Sequence, residues 1–272
     1  MTAPRYIDRE MEVIIQPTED AAAWLVARLI ARALQADPHL VLGLATGTTM
    51  ESVYRLLVKM HREDGLDFSL CRTFNLDEYV GLSPEDPHSY RYYMNHHLFG
   101  QVNVDLRNTH LPNGMAPDLE AECVRYESAI KHFGGIGLQL LGIGSDGHIG
   151  FNEPLSALHS RTRVKALAPA TLEQNAPLFG DDRSRVPHRA ITMGVGTIQS
   201  SHRCLVLVTG ARKAEIIAKT VEGPITSMIT ATALQLHPRC TVVVDELAAA
   251  KLSGTEYYRW IFANEPEWAD YR

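Results

Sequence analysis

Cysteine is scarce in this sequence, and the few cysteines that it contains form no motif. The four cysteines, in a chain of 272 residues, are scattered, and no two of them make a CxxC pair. This spacing excludes the usual zinc ribbon and redox dithiol. Three of them, Cys71, Cys204 and Cys240, lie in or beside apolar runs, where reduced cysteine packs as a small hydrophobic side chain. A reducing compartment, the cytoplasm, is the predicted location.

Long apolar runs and a basic excess are also missing. No run approaches the length that a bilayer crossing needs, and the polar segment 1–10 lacks the apolar core of a signal peptide. Lys and Arg number 26 against 32 Asp and Glu, a net charge of −6. Nucleic-acid binders usually need a basic surface, so neither a nucleic acid nor a membrane is an expected partner. A small anionic ligand needs only a few local donors.

Short apolar runs alternate with helical patterns along the chain. The runs predict strands at 11–15 (an edge strand), 40–45, 71–76, 137–143, 204–209 and 240–244. Helical patterns cover about 18–35, 50–58, 117–131 and 213–222. This alternation predicts a doubly wound α/β fold with a mostly parallel central sheet and helices on both faces. We expect one domain over 1–272, with a lid at about 154–190, where proline, arginine and small polar residues are frequent.

Polar residues follow five of the predicted strands, at 46–49, 77–78, 145–153, 210–213 and 245–246. Ligands of such folds bind beyond the carboxyl ends of the strands, so the first four groups are expected to form a site for a phosphorylated substrate. A glycine turn before a helix, as in Thr46-Gly47-Thr48-Thr49, favours an anion, although an ordinary capped turn has the same sequence. Lys213 begins a helix, where a cation opposes the helix dipole. That position indicates a nearby anion or a solvated surface lysine.

Two acidic motifs carry the predicted chemistry. Asp77, followed by Glu78, lies among apolar and aromatic residues that can raise the pKa of a carboxyl enough for it to act as a base; a turn-capping carboxylate is the alternative. In the glycine-rich stretch 142–154, Asp146 and Glu153 can orient His148 in a proton relay. A metal site is the weaker hypothesis, because zinc usually has three or four ligands and no second His or Cys motif is nearby. No metal and no cofactor are expected.

Both motifs resemble the signature stretches of the glucosamine-6-phosphate deaminase family. Residues 74–82 read FNLDEYVGL and residues 144–154 read GSDGHIGFNEP, and 42–47, 160–163, 195–197 and 234–238 also match. The resemblance implies a cofactor-free conversion of glucosamine 6-phosphate and water to fructose 6-phosphate and ammonia. It implies that Asp77 moves a proton from C2 to C1, and that His148, oriented by Asp146 and Glu153, helps to open the sugar ring. The phosphate pocket would map to the turn of Thr46, Gly47, Thr48 and Thr49, together with Lys213.

The resemblance is incomplete at the phosphate end. The family's lid usually carries an arginine that grips the phosphate, in Asn-Ala/Ser-Arg-Phe-Phe, whereas residues 175–179 read NAPLF here, with Pro177 in its place. Residues 45–49 read ATGTT, where the family commonly has PTGGT. Loss of a bidentate arginine contact costs about 1.5–3 kcal/mol of binding. Either Arg183 or Arg185 substitutes, or the substrate is a different amino sugar or amino sugar phosphate.

The resemblance also concerns regulation. Some members of the family are hexamers activated by N-acetylglucosamine 6-phosphate at subunit interfaces. Ser156, Arg163, Lys165 and Tyr258 match positions used there, so an allosteric homo-oligomer is one hypothesis and ordinary surface cations are the other.

Two further function classes are weighed against the deaminase. A non-catalytic sugar-phosphate sensor is disfavoured because no helix-turn-helix fits before Met11 and all four acid–base residues are present. Lactone hydrolysis is disfavoured because the related 6-phosphogluconolactonases share the Asp-Gly-His core but lack the Phe-Asn-Glu-Pro continuation.

Overall fold

The computed structural model describes residues 11–272, so the polar segment 1–10 lies outside the described residues. The strands of this part are β1 (Met11–Gln16), β2 (Val41–Leu44), β3 (Arg72–Asn75), β4 (Asp77–Tyr79), β5 (Thr109–His110), β6 (Leu138–Leu141), β7 (Arg163–Ala166), β8 (Arg189–Thr192), β9 (Cys204–Val208) and β10 (Cys240–Asp245). Its α-helices are α1 (Glu19–Ala36), α2 (Thr48–Asp64), α3 (Tyr90–His97), α4 (Leu119–His132), α5 (Pro169–Asn175), α6 (Val195–Gln199), α7 (Ala214–Glu222), α8 (Glu246–Ala249) and α9 (Thr255–Asn264). Among residues 11–272, no helix combines the length and the apolar character that a membrane crossing requires.

Seven strands form a central sheet in the order β1-β10-β9-β6-β2-β3-β5. Every neighbouring pair in it is parallel, so the predicted doubly wound parallel α/β fold is confirmed, with β1 at an edge. From β2 the chain adds β3 and β5 on one side, and from β6 it adds β9 and β10 on the other. The winding direction therefore reverses between β2 and β6. A crevice for ligands is expected beyond the carboxyl ends of these two strands.

The local sequence explains why the main elements form where they do. All five residues of β9 (CLVLV) are buried, as expected for an inner strand covered by helices on both faces. Helix α1 begins after Thr18, whose side chain accepts a hydrogen bond from the Ala21 N–H. Helix α2 ends at Gly65, which adopts the left-handed conformation with φ of 70°. These capping residues determine where α1 begins and where α2 ends.

A second, antiparallel sheet of three strands, β4-β8-β7, lies beside the parallel one. The sequence did not predict it, because its strands are three or four residues long and join segments far apart in the chain. It pairs Asp77 of β4 with Thr192 of β8. A small hydrophobic cluster around Tyr79, Phe151 and Phe179 packs against it. Much of the segment 154–190 belongs to this second layer.

The amino ends of the strands form the opposite edge of the sheet, and an acid pair lies there. The Glu12 carboxylate of β1 accepts a hydrogen bond from the Trp268 indole at 3.3 Å. Burial, and then the neighbouring Glu267 carboxylate, raise the pKa of Glu12 to about 7. Trp268 itself is buried. The C-terminal segment therefore packs against this edge of the sheet and is hydrogen-bonded there to a titratable group, the Glu12 carboxyl.

We expect the free energy of unfolding to fall as the pH rises from 4.5, the ordinary pKa of glutamate, to about 7. In this interval the folded protein retains a proton on Glu12 that the unfolded chain has lost, so deprotonation favours unfolding. The expected loss is about 1 kcal/mol, because a partly solvated carboxyl is screened by water. Urea unfolding between pH 4 and 8 measures it. Glu12→Gln should flatten the pH dependence, and an identical slope in the variant would contradict the assignment.

Candidate active site

Four of the polar groups predicted from the sequence meet at the carboxyl edge of the sheet. They follow β2, β3, β6 and β9, which are neighbours in the order β9-β6-β2-β3. β2 pairs directly with β6, and Gly142, the residue after β6, lies against Met50 of α2. The fifth group behaves differently. The Asp245 carboxylate accepts hydrogen bonds from the Ala248 and Gly210 N–H groups, so it caps α8 and shapes the turn after β9.

The turn after β2 has the geometry of an anion site. Gly47 precedes α2 with φ of 118°, a conformation that favours glycine, and no side chain caps the helix. The first N–H groups of α2 are therefore free of a side-chain partner at a positive helix end. Thr48 is exposed and Thr49 is partly exposed, while Thr46 shares a side-chain hydrogen bond with Tyr90. Backbone and hydroxyl donors are thus available at one point.

Lys213 points to the same region from the turn after β9. It precedes α7, and its ammonium donates a hydrogen bond to the Ile143 carbonyl, just past β6, at 2.6 Å. Burial lowers the pKa of Lys213, while the Asp146 carboxylate opposes that shift. The side chain is therefore directed into the crevice rather than into solvent, as an anion-binding lysine requires.

The two acids of the β4 motif have different environments. Asp77 is 6% exposed, and its carboxylate makes no hydrogen bond to any other described residue. Burial, and then the charge of Glu78, raise the pKa of Asp77 to about 8. The Glu78 carboxylate instead accepts hydrogen bonds from the Tyr90 and Arg91 N–H groups at 2.9 Å, at the start of α3. Asp77 is thus available for proton transfer, and Glu78 is engaged in holding a helix.

The predicted relay is assembled on the loop after β6. The Asp146 carboxylate lies 2.6 Å from His148 Nδ1 and accepts the His148 backbone N–H at 3.1 Å. Among residues 11–272, Nδ1 has no partner that meets the geometry of a hydrogen bond, so the 2.6 Å separation is a close approach of the two groups. Burial raises the pKa of Asp146, but the His148 side chain and backbone outweigh it and hold that pKa below its usual range. Glu153 Oε2 lies 3.9 Å from the same Nδ1.

The relay residues are also the group that most resembles a metal site within residues 11–272. One ligand atom from each of Asp146, His148 and Glu153 lies within 4.8 Å of the others. Both carboxylates, however, face a single imidazole nitrogen. That arrangement suits two acceptors around one ring N–H, and it leaves Nε2 for a substrate proton.

Comparison with known proteins identifies the family. Residues 16–242 match the model of glucosamine-6-phosphate isomerases and 6-phosphogluconolactonases. The chain belongs to this family. Glucosamine-6-phosphate deaminase from Cellvibrio japonicus is 48% identical over 251 residues, 92% of this chain and 95% of the relative. The enzyme of that name from Streptomyces coelicolor is 45% identical over 258 residues, 95% and 99% of the two chains.

Solved structures agree with this family. A monomeric glucosamine-6-phosphate deaminase is 44% identical, with a TM-score of 0.87 over 89% of this chain and 100% of that one. The 6-phosphogluconolactonase from Trypanosoma cruzi is 17% identical, with a TM-score of 0.73 over 92% and 99% of the two chains, and it shows the fold alone. The resemblance noted in the sequence is therefore confirmed.

Pro177, which the sequence comparison above predicts to stand in place of an arginine, is exposed in the 3₁₀ turn Ala176–Phe179. The two arginines proposed to substitute for it have other contacts. Arg183 lies 4.0 Å from the Glu173 carboxylate on α5. Arg185 lies near Asp86, whose pKa is lowered mainly by hydrogen bonds from the His88 backbone and side chain and in small part by the charge of Arg185. Both arginines therefore lie beside acidic residues of α5 and of the loop before α3, and neither contacts the 46–49 turn.

The four residues matched to the family's effector site do not lie together in one chain. Arg163 of β7 donates a hydrogen bond to Asn152 Oδ1 at 2.8 Å, and its buried Nη2 has no partner. Ser156 is buried with its hydroxyl unpaired, and Lys165 is partly exposed on the same strand as Arg163. Tyr258 of α9 instead donates to Glu222 at the end of α7, and it lines a cavity at the amino edge of the sheet.

Sequence reasoning missed several residues that support the site. Thr192 lies opposite Asp77, and its hydroxyl accepts a hydrogen bond from the Phe151 N–H. The Asn152 amide donates to the carbonyls of Ile149 and Met193, which ties the relay loop to β8. Asn152 could have been found, since it stands inside the signature stretch. No sequence signal marks Thr192, because its strand pairing depends on residues more than a hundred positions away.

Proposed function

We propose that this protein deaminates glucosamine 6-phosphate, giving fructose 6-phosphate and ammonia with the uptake of one water. The observation that carries the proposal is the Asp77 carboxyl, enclosed at the reversal point of the sheet, with a pKa raised to about 8. A base of this strength suits removal of a proton next to a carbonyl near neutral pH. The deaminase names of relatives at 45–48% identity support the same reaction.

Ring opening is the first step of the proposed mechanism. The sugar is a cyclic hemiacetal, so opening it moves a proton from the C1 hydroxyl to the ring oxygen as the C1–O5 bond breaks. His148 transfers this proton, and its charge is balanced by Asp146 at 2.6 Å and by Glu153 at 3.9 Å. The product is an open-chain aldehyde with an acidic C2–H.

Isomerisation and loss of ammonia follow. Asp77 removes the C2 proton, and its electron pair forms the C1–C2 double bond while the C1 carbonyl oxygen takes a proton from the substrate's own C2 ammonium, giving an enolamine. Return of the carried proton to C1 converts the C2 amine to an iminium, which water hydrolyses to the ketose and ammonia, released as ammonium.

The phosphate end of the site is proposed to be the start of α2 together with Lys213. Gly47 and the hydroxyls of Thr46, Thr48 and Thr49 offer donors, and Lys213 adds a charge. The segment 154–190 is proposed to close over the sugar. Four buried, unpaired cysteines support the proposed cytoplasmic location.

One assay tests the proposed function. Ammonia and ketose release are measured for 2-amino-2-deoxy sugars that differ at C4 and in the presence of the 6-phosphate. We expect release from glucosamine 6-phosphate and at least tenfold lower kcat/KM for the unphosphorylated sugar, because a charge-assisted contact is lost. No ammonia from any of them would rule out the deaminase, and preference for another epimer would redefine the substrate.

Restoring the family's lid arginine should improve phosphate binding. Pro177→Arg is expected to lower KM for glucosamine 6-phosphate roughly tenfold, the effect of one charge-assisted contact, and to leave KM for unphosphorylated glucosamine unchanged. Leu178→Arg is a matched control, because Leu178 is the next residue and is 57% exposed. Equal KM values for both variants and the parent protein would mean that the phosphate is held without the lid.

Three of the four residues matched to the family's effector site lie in one region of the chain. We propose that an anionic effector binds near Ser156, Arg163 and Lys165, supported by the unpaired Ser156 hydroxyl and Arg163 Nη2. Tyr258 can join this group only from a neighbouring copy, so its participation depends on a homo-oligomer, such as the hexamer of some family members. The similar solved deaminase is described as monomeric, which favours effector binding without Tyr258.

A further inference from the structure

The lid helix α5 is bonded directly to a relay carboxylate. Glu153 Oε1 accepts a hydrogen bond from the Thr171 hydroxyl at 2.6 Å and another from the Ala168 N–H at 3.0 Å. Thr171 lies on α5, and Ala168 immediately precedes that helix. Both side chains, Glu153 and Thr171, are almost fully buried, at 4% and 3% exposure. The contact is therefore a fixed feature of the interior and not a surface bond.

These two donors decide which way the carboxylate faces. With Oε1 fully occupied, Oε2 is left buried without a hydrogen-bond partner, and it is this oxygen that lies 3.9 Å from His148 Nδ1. A buried carboxylate oxygen without a donor is costly, so the arrangement persists only if other contacts impose it. The pair of donors on Oε1 provides that constraint, and it aims the free oxygen at the imidazole.

The same helix is held at its other end by two further parts of the site. The Ser145 hydroxyl donates to Gln174 Oε1 at 2.9 Å, and the Asn175 amide donates to the Tyr79 hydroxyl at 2.9 Å. Movement of α5 would therefore break or shift its hydrogen bonds to Glu153, to the relay loop and to the strand that carries Asp77. The titratable groups around Glu153 come from the loops rather than from α5: His148 and Asp146 lie on the relay loop, and Lys213 lies near Asp146.

We propose that Thr171 is a positioning residue for the reaction, which holds Glu153 so that its free oxygen faces His148. Through this hydrogen bond, the position of α5 and the orientation of the Glu153 carboxylate toward His148 are coupled. The proposal rests on the proposed function, since it takes the relay as the ring-opening device. Thr171 itself touches neither the sugar nor the reacting atoms in this scheme, and it acts only through the orientation and charge of Glu153.

The first test compares substitutions at Thr171 alone. Thr171→Val keeps the shape and removes the donor, and it is expected to lower kcat roughly 10- to 100-fold with little change in KM, as for loss of a hydrogen bond to a charged group. Thr171→Ser keeps the donor and should restore activity to within about threefold. Thermal unfolding checks folding, and Thr171→Ala replaces the valine variant if that one does not fold. Equal kcat for the serine and valine variants would overturn the proposal.

The second test is a double-mutant cycle with Glu153→Gln. If Thr171 acts through Glu153, removing the hydroxyl in the Glu153→Gln background should lower kcat by less than about threefold, whereas a merely structural effect would multiply the two losses. Multiplicative losses would overturn the role of Thr171 and leave the deaminase mechanism standing. An unchanged kcat in Glu153→Gln alone would instead overturn the proposed role of the relay, so the two failures are distinguishable.

Discussion

Asp77→Asn is expected to lower kcat by roughly 10³-fold, because it removes the proposed general base while keeping the shape of the side chain. Asp77 is enclosed, carries a pKa raised to about 8, and makes no hydrogen bond to another described residue. Its contribution should therefore be to proton transfer and not to the fold. The direct measurement is the exchange of the C2 hydrogen with deuterium from solvent, followed by NMR. Exchange should disappear in the variant, while binding of the sugar phosphate persists.

Glu78→Gln is the matched control for this experiment. Glu78 is the adjacent acid, but its carboxylate holds the start of α3 through two backbone N–H groups. Its substitution should lower the melting temperature and leave C2 exchange per folded molecule nearly intact. Asp77→Asn should have the opposite signature: its stability relative to the parent rises as the pH increases from 3.8 to about 8, because the folded parent keeps on Asp77 a proton that its unfolded chain releases. Exchange at the parent rate in Asp77→Asn would remove Asp77 as the base.

The sequence was most informative where one strand is followed by one polar group. The apolar runs at 40–45 and 137–143 contain β2 (Val41–Leu44) and β6 (Leu138–Leu141), so the ends of these strands were located within two residues. Because parallel strands end at a common edge, the convergence of the 46–49 turn, Asp77, His148 and Lys213 followed from the rule for such folds. The start of α1 could likewise be predicted from local sequence, because the capping residue Thr18 directly precedes the helix.

The sequence was uninformative where a contact joins distant segments through short or polar elements. The antiparallel pairing of Asp77 with Thr192 involves strands of three and four residues, too short for a periodic pattern. The hydrogen bond between Thr171 and Glu153 depends on how α5 packs against the loop after β6, which no local sequence pattern encodes. Tyr258 shows that a sequence match can also mislead. It matches a position of the family's effector site, but it lies at the amino edge of the sheet, away from the other three matched residues.

Gly144→Ala is expected to lower kcat by about 10²-fold or more, although alanine is the smallest change available. A Cβ at this position would lie 2.4 Å from the Cε1 and Nε2 atoms of His148. The ring would have to move by roughly 1 Å to reach ordinary contact, and a displacement of that size costs about a hundredfold in rate. The ring cannot move without cost, because Asp146 and Glu153 hold its other nitrogen. Steady-state kinetics with glucosamine 6-phosphate measures the effect.

Gly142→Ala separates this effect from a general intolerance of side chains in the glycine-rich loop. Its Cβ would meet only Met50 Cε, at 3.2 Å, and the end of a flexible methionine can give way. We expect kcat within about threefold of the parent for Gly142→Ala, and unfolding midpoints close to the parent for both variants. The backbone of Gly144 does not have a positive φ, so strain in the main chain cannot account for a loss there. Similar kcat values for the two variants would mean that the imidazole has room to move, and that its position beside Gly144 does not limit the rate.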